Sequence, residues 1–301
     1  MFSLERLRIL RAVARHGSVG GAAEDLHVTT SAISQQMSKL EREAGQPLLT
    51  RRGRGIRLTD AGRLLAGHAE RVLSQLELAR SDLEAHHGKA VGELRLAAFP
   101  TAARGLFPTA LPTLRVNHPE LRPHLSELEP DDSIPLLTRG DIDLAVVLDW
   151  YNRPLPLPSG VTKAPLLDDR VDVAMPVDHP YANRRWVQLY DFAEQDWVVW
   201  PAGEFGHEWL LFTLRSQGVE PRITHLAGEH QTQLALVAAG SGVAVTPRLG
   251  RGSLPEGVVT VPVRDGMRRH IYAVWRDDAD RRPSIRAAVQ ALKKAARAVE
   301  R

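Results

Sequence analysis

The stretch Ser18 to Ala44, SVGGAAEDLHVTTSAISQQMSKLEREA, leaves the chain the least freedom of any segment. It predicts two short helices joined by a tight turn. Ser18 can cap the first, and Ala22, Ala23 and Leu26 give it a side of small apolar residues that lets another backbone come close. His27 and Val28 interrupt that pattern. The second helix begins near Thr29 or Thr30, either of which can cap it, and stops at Gly45, a residue suited to a left-handed C-terminal position. Ile33, Met37, Leu40 and Ala44 fall in one stripe and therefore face a core. Thr30, Ser31, Ser34, Gln35, Ser38 and Lys39 lie off it. Hydroxyl and amide groups of this kind can read base edges in a major groove while a lysine holds phosphate. A solvated helix face has the same composition, so the surroundings decide between the two readings.

Charge supplies the first of those surroundings. The net charge of +3 is distributed unevenly: residues 1 to 90 carry an excess of 4 Lys/Arg over Asp/Glu, and the remainder has one acid more than it has bases. Arg51, Arg52, Arg54 and Arg57 fall close together, interleaved with Gly53 and Gly55 and with no acid among them. That is the footprint of a module that meets a polyanion.

The flanks complete the module. Ser3 to Arg15 reads as a helix capped by Ser3, with Leu4, Leu7, Leu10 and Ala14 on one side and Gly17 beyond its end. Leu48 to Arg52 and Ile56 to Leu58 flank Gly53-Arg54-Gly55 as a tight hairpin, a wing beside the two helices whose arginine tip suits a minor groove or phosphate. From Thr59 one helix runs to about His87, with Gly88 as its stop. Leu65, Ala69, Val72, Leu76, Ala79 and Leu83 repeat every 3.5 residues along it, the seam of a helix that packs on a partner helix over roughly 43 Å. Packing within the same chain is the other reading of that seam.

Small residues together with Leu26, Ala32, Ser34, Leu40, Glu41, Gly45, Pro47, Leu48, Arg51 and Leu58-Thr59 stand at the spacings of one family. The chain resembles the LysR-type transcriptional regulators, most strongly over residues 1 to 65 and more loosely afterwards. The resemblance implies an α/β protein: residues 1–58 a winged helix-turn-helix DNA-binding domain, 59–88 a linker and dimerisation helix, and 89–301 an effector-binding regulatory domain. Carried over by position, Thr30, Ser31, Ser34, Gln35 and Lys39 meet DNA from the second helix, and Arg51, Arg52 and Arg54 from the wing. Many members have Gln, then Pro or Ser, and an Arg where this chain has Thr30, Ser31 and Gln35, so DNA binding is implied without a particular operator. The partners implied are double-stranded promoter DNA, a small-molecule effector, a second copy through residues 59–87, a homotetramer, and RNA polymerase.

After Gly88 the rhythm changes. Gly92 to Phe99, Pro123 to Glu129, Ile142 to Leu148, Val171 to Met175, Trp197 to Trp200, Ile223 to Leu226, Val243 to Thr246 and Ile271 to Trp275 read as strands. Helical patterns at Glu208 to Gln217, Gln231 to Ala239 and Ser284 to Val299 alternate with them, predicting parallel sheets covered by helices on both faces. The Pro-rich run Arg153 to Gly160 is read as a first crossing between subdomains and Pro262 to Met267 as a second. This resembles the two-lobed, periplasmic-binding-protein-like effector domain of the same family, with lobe I about 89–160 and 267–301 and lobe II about 161–266. Ligands of open α/β sheets sit beyond the carboxyl ends of the strands. Thr101, Glu129, Trp150, Trp200, His230 and Thr246 follow or end strands and are the candidate effector contacts, with Thr101 placed to meet a carboxylate at a helix start.

Other chemistries find little support. His207-Glu208 has Leu211 where a zinc-protease helix needs its second histidine, so HExxH is absent. Gly240-Ser241-Gly242 completes neither a hydrolase elbow nor a dinucleotide fingerprint, and His86, His87 and His179 have no partners at metal-ligand spacing. No catalytic residue, metal or cofactor is expected. The chain has no cysteine, which excludes disulfides and thiol chemistry. With 43% hydrophobic and 25% charged residues and no apolar run of membrane-spanning length, a soluble cytoplasmic protein is expected, and the resemblance implies association with the bacterial nucleoid. Two other readings stay open: a solute-binding protein with an incidental basic head, and a non-specific DNA-binding or assembly factor with a solute-sensing domain.

Overall fold

A computed structural model describes residues 2–26, 28–52, 55–264 and 266–299, divided into two compact units, Met1–Gly88 and Lys89–Arg301. In the first unit α1 (Leu4–His16), α2 (Val19–Asp25) and α3 (Thr30–Ala44) pack through Leu7, Leu10, Val13, Ala22, Ala23, Ile33, Met37 and Leu40. Caps fix where two of these helices start. Ser18 Oγ accepts from the Gly21 amide at 2.9 Å and Thr29 Oγ1 from the Ala32 amide at 3.1 Å. Ser3 occupies the cap position of α1, but its hydroxyl makes no capping bond. Gly17 and Gly45 close α1 and α3 at φ 64° and 68°.

A hairpin follows, β1 (Leu49–Arg52) against β2 (Gly55–Leu58), with Leu49 opposite Leu58 and Arg52 opposite Gly55. The expected tip residues Gly53 and Arg54 lie outside the described residues. Glu41 ties the hairpin to α3, its Oε1 accepting from the amides of Leu48 and Leu49 at 2.9 and 3.0 Å. Helix α4 (Asp60–His87) is capped by Thr59, whose hydroxyl also donates to the Pro47 carbonyl. Gly62 lets α4 lie against the hairpin, since a Cβ there would stand 2.2 Å from the Leu48 carbonyl oxygen. The seam divides along its length. Ala69 is fully buried and Leu65 packs on the unit's core, whereas Val72, Leu76 and Leu83 are 42%, 47% and 73% exposed.

The second unit opens with β3 (Gly92–Ala98), α5 (Pro100–Asn117), β4 (Leu121–Glu127), α6 (Pro130–Arg139) and β5 (Leu144–Trp150). β3 lies between β4 and β5, parallel to both. The strand β6 (Val161–Pro176) is followed by β7 (Asp196–Val199), α7 (Phe205–Ser216), β8 (Arg222–Leu226), α8 (His230–Ala238), β9 (Ala244–Pro247), β10 (Val258–Pro262), β11 (Arg268–Arg276) and α9 (Pro283–Val299). β7 and β8 are parallel, but β11 runs antiparallel to both β5 and β6, and β6 antiparallel to β9 and β10. The sheets are therefore mixed, not purely parallel.

Of the antiparallel strands, β6 passes between the lobes. β6 pairs with β11 from Val161 to Arg170, then with β9 and β10 from Val171 onward. The first crossing accordingly falls at Arg170/Val171 and not in the Pro-rich run 153–160, because β6 resumes pairing with the first lobe's β11 straight after that run. Met267, whose carbonyl accepts from the Val171 amide at 3.0 Å, stands at the second crossing. The helix expected to start at Thr101 is α5, but the sequence pattern does not give its length or announce α6, because Pro108, Pro112 and Pro135 interrupt their periodicity. Pro108 and Pro112 sit on the exposed side of α5, where a missing N–H leaves only solvent-facing carbonyls unpaired.

Candidate functional site

On α3 the buried stripe and the polar face are separate. Ile33, Met37 and Leu40 are no more than 1% exposed, and Thr30, Ser31, Ser34, Gln35 and Lys39 all face outward. Ser34 Oγ donates to the Thr30 carbonyl within the helix at 2.8 Å, which leaves its lone pairs outward. Arg51 and Arg52 belong to β1, and Arg54 lies outside the described residues. A helix pinned from beneath by three apolar side chains and at both ends by caps is a rigid platform for an exposed row of donors and acceptors.

In the second unit a cavity of about 70 Å³ opens beyond the carboxyl ends of five strands. β3 delivers Phe99, Pro100 and Thr101, β4 Glu129 to Asp131, β5 Leu148 and Trp150, β7 Trp200 and Glu204 to Gly206, and β8 Gly228 to His230. β11 adds Arg269 from the side. Four of these connections are helix starts, so α5, α6, α7 and α8 all point their N-termini at one space. Thr101, Glu129, Trp150, Trp200 and His230 come together here. Thr246 does not line the cavity; it is buried in β9 opposite Asp172 of β6.

Arg269 organises the floor. It is 2% exposed, faces Asp169 across the β6–β11 ladder, and donates Nε to Asp169 Oδ2 at 2.8 Å and Nη2 to Thr101 Oγ1 at 2.7 Å. Its guanidinium lies over the rings of Phe99 and Trp150 at 5.1 and 5.9 Å. Burial lowers its basicity and Asp169 opposes that, while the other oxygen of Asp169 accepts from the Leu249 amide. Thr101 is also pinned from behind, because a Cβ on Gly250, at φ 65°, would come within 2.1 Å of the Thr101 carbonyl oxygen.

The walls are aromatic. Trp150 stacks on Trp209 with ring centroids 3.5 Å apart and meets Trp200 edge-on, and Trp200 in turn meets His230 edge-on at 5.2 Å. His207 Nδ1 bonds the Trp200 carbonyl oxygen at 2.7 Å and holds that loop in place. Burial, then the nearby Arg269 and Arg104, push His230 down to about 3, so its imidazole is neutral at pH 7. Glu129 is pushed up to about 7, first by burial and then by Glu204, with Arg269 opposing. Glu204 is itself raised by burial, against the pull of His207. Glu229 goes the other way: burial raises it, but amide bonds from Gln231 and Thr232 and the Arg104 guanidinium outweigh that.

Arg269, Asp169, Glu204 and Phe205 join the site without being singled out by the sequence. Arg269 carries a signal all the same. It shares the buried alternation of Ile271, Ala273 and Trp275, and a charge on such a face requires a buried partner. The strand expected from Ile271 begins at Arg268, early enough to include it.

An exposed polar helix beside a hairpin, and a two-lobed α/β unit around a small cavity, fit the class of ligand-responsive DNA-binding proteins. Comparison with known proteins agrees. Residues 4–63 match the family model of the bacterial regulatory helix-turn-helix protein, lysR family, and residues 87–297 that of the LysR substrate binding domain. The chain belongs to the LysR family of transcriptional regulators. It is 33% identical over 245 residues to the small neutral protease regulatory protein of Streptomyces coelicolor, covering 80% of this chain and 72% of the relative. To the DNA-binding transcriptional dual regulator OxyR of Escherichia coli it is 28% identical over 298 residues, 97% of this chain and 95% of that one. A hydrogen-peroxide-bound OxyR variant of Corynebacterium glutamicum superposes with a TM-score of 0.63 at 25% identity, over 99% of this chain and 93% of that one. Full-length CbnR in complex with its target DNA has the same fold, with a TM-score of 0.56 at 23% identity over 98% of this chain and all of the other.

Proposed function

We propose that this LysR-type regulator reads its operator with Thr30, Ser31, Ser34, Gln35 and Lys39 of α3 while Arg51, Arg52 and Arg54 of the wing hold phosphate, and that its effector occupies the cavity around Thr101, Glu129, Trp150, Trp200 and His230. The observation that carries the first assignment is the polar face of α3, exposed in full above the buried Ile33, Met37 and Leu40. Five strand ends and four helix N-termini meeting at one space support the second.

The exposed seam Val72, Leu76, Ala79 and Leu83 supports a homodimer through residues 59–87, which sets two reading helices on two half-sites, and a tetramer built from two such dimers. Residues 1–58, 59–88 and 89–301 serve as DNA-binding domain, linker and regulatory domain, with the lobes meeting at Arg170/Val171 and Met267 in place of the Pro-rich run. Contact with RNA polymerase and a place in the cytoplasm among nucleoid proteins complete the reading. No helix among the described residues is long and apolar enough to cross a membrane, and none of those residues forms a cluster suited to a metal ion. Regulation, with no catalytic step, is the activity assigned.

A footprint on the DNA upstream of the coding region, at low and physiological salt, tests the reading. A dyad-symmetric protected site that survives the higher salt supports it, and binding that is only salt-sensitive and unpatterned refutes sequence-specific reading. Changing Thr101 to Val should abolish the effector response and leave that footprint intact. A normal response would move the effector elsewhere.

A further inference from the structure

The cavity's charges point to the class of its ligand, an inference that rests on reading the cavity as the effector site. Three of the four helices aimed at it begin with a glutamate in the cap position: Glu129 before α6, Glu204 before α7 and Glu229 before α8. Of these, Glu229 alone is used as a cap, and it is also paired with Arg104 at 3.2 Å. Glu129 and Glu204 make no capping bond, and Asp131 adds a third acid beside them. Among the described residues the one arginine or lysine lining the cavity is Arg269, already committed to Asp169 and Thr101.

An incoming anion would therefore meet Glu129, Glu204 and Asp131 with only the committed Arg269 as a nearby cation on the cavity wall, and three of the four helix N-termini are already faced by glutamates. The remaining surface suits the opposite charge. Phe99, Trp150, Trp200 and Phe205 present aromatic rings to the same space, with Trp150 held rigid by its stack on Trp209. A second observation is independent of the acids. His230 lines the cavity with only 9% of its surface exposed, and its Nδ1 has no hydrogen-bond partner. A buried imidazole nitrogen left open in this way is completed by a ligand N–H or hydroxyl.

We propose that the effector carries a positively charged nitrogen, an ammonium or guanidinium group, seated between Glu129 and Glu204 against the indoles of Trp150 and Trp200. Carboxylate pairing gives the charge and the aromatic faces give a cation–π surface that water cannot supply. A ligand that also bears a carboxylate can place it toward Thr101 and the start of α5, so cationic amines and zwitterionic amino acids are separate arms of the test.

The test is a fluorescence titration of the full-length protein, reading the cavity tryptophans at pH 8. The probes are putrescine, agmatine and choline as cations, L-lysine and L-arginine as zwitterions with a side-chain cation, and benzoate and succinate as anions. Saturable change with at least one cationic or zwitterionic probe, weakened tenfold or more in the Glu129→Gln, Glu204→Gln double variant and absent with the anions, is the expected result. The variant's footprint on DNA serves as the folding control, and each single Glu→Gln variant replaces it if the double variant fails to fold. Saturable binding of benzoate or succinate, unchanged or strengthened by those substitutions, overturns the charge assignment while leaving the cavity as the effector site. No saturable change with any cationic or zwitterionic probe also overturns it. If, besides, Thr101→Val leaves the response of the operator complex to cell extract unaltered, the effector reading itself falls.

Discussion

Helix α3 and the cavity of the second unit, the proposed reading helix and effector site, meet the demand for specificity in opposite ways. The helix separates its two jobs, with Ile33, Met37 and Leu40 holding it down and an outer row of polar groups free of the core. The cavity merges them. Arg269 holds Thr101 in place and is itself one half of a buried ion pair, and Trp150 is at once wall and core. A surface site of the first kind can change its target without touching the fold, whereas a cavity of the second kind couples every change of ligand to stability.

The largest expected effect lies in the cavity. Changing Arg269 to Ala, or Asp169 to Ala, strands one buried charge and should cost about 3–5 kcal/mol in urea unfolding, and pairing Arg269→Met with Asp169→Leu should recover much of it. Gln35→Ala should stay within about 0.5 kcal/mol in the same assay. Equal costs at the two sites would erase the contrast. On DNA the order reverses: Gln35→Ala should weaken operator binding by about 1–3 kcal/mol relative to non-specific DNA, and an equal loss on both kinds of DNA would remove its reading role. Thr29→Ala, which removes the cap of α3, should cost about 1 kcal/mol of stability, seen as a lower urea midpoint with an unchanged slope.

The smallest effect is a pH dependence. Glu129 takes up its proton at about 7 in the folded chain, against 4.5 for a glutamate free in water, so folding binds a proton between those values. Its contribution is therefore most favourable below about 4.5 and is lost as the pH rises through 7. Burial, Glu204, Asp131 and Glu127 push it that way, and Arg269 pulls against them. Because the side chain faces the open cavity, solvent reduces the effect. Thermal unfolding between pH 5 and 8 should show a shallower decline for Glu129→Gln than for the parent, and parallel curves would assign the proton to another group.

The same contrast explains what could be read from the sequence. The first unit is local: caps, stripe and stop fall within a few turns of one another, so Ser18, Thr29, Gly45, Thr59 and Gly88 mark its elements close to where they are. The cavity is legible only where a strand end can be recognised, as at Thr101, Glu129, Trp150, Trp200 and His230. Asp169 and Arg269 lie a hundred residues apart and meet only because β6 and β11 pair, a register that no local pattern encodes. Thr246 obeys the strand rule and still falls outside, since its strand pairs with the far half of β6 and leaves that side chain in the interior.

The way the chain passes between lobes has a mechanical side. β6 crosses as one unbroken strand, from its pairing with β11 to its pairing with β9 and β10, and β11 begins just after the second crossing, so the Asp169–Arg269 pair lies beside both crossings. At the β6 crossing there is no slack linker to take up movement. A rotation of one lobe against the other must twist this ladder, and so must strain or relax the ion pair that holds Thr101. The joint and the floor of the cavity are thus neighbours in one strand, and a ligand in the proposed effector site would act directly on the joint.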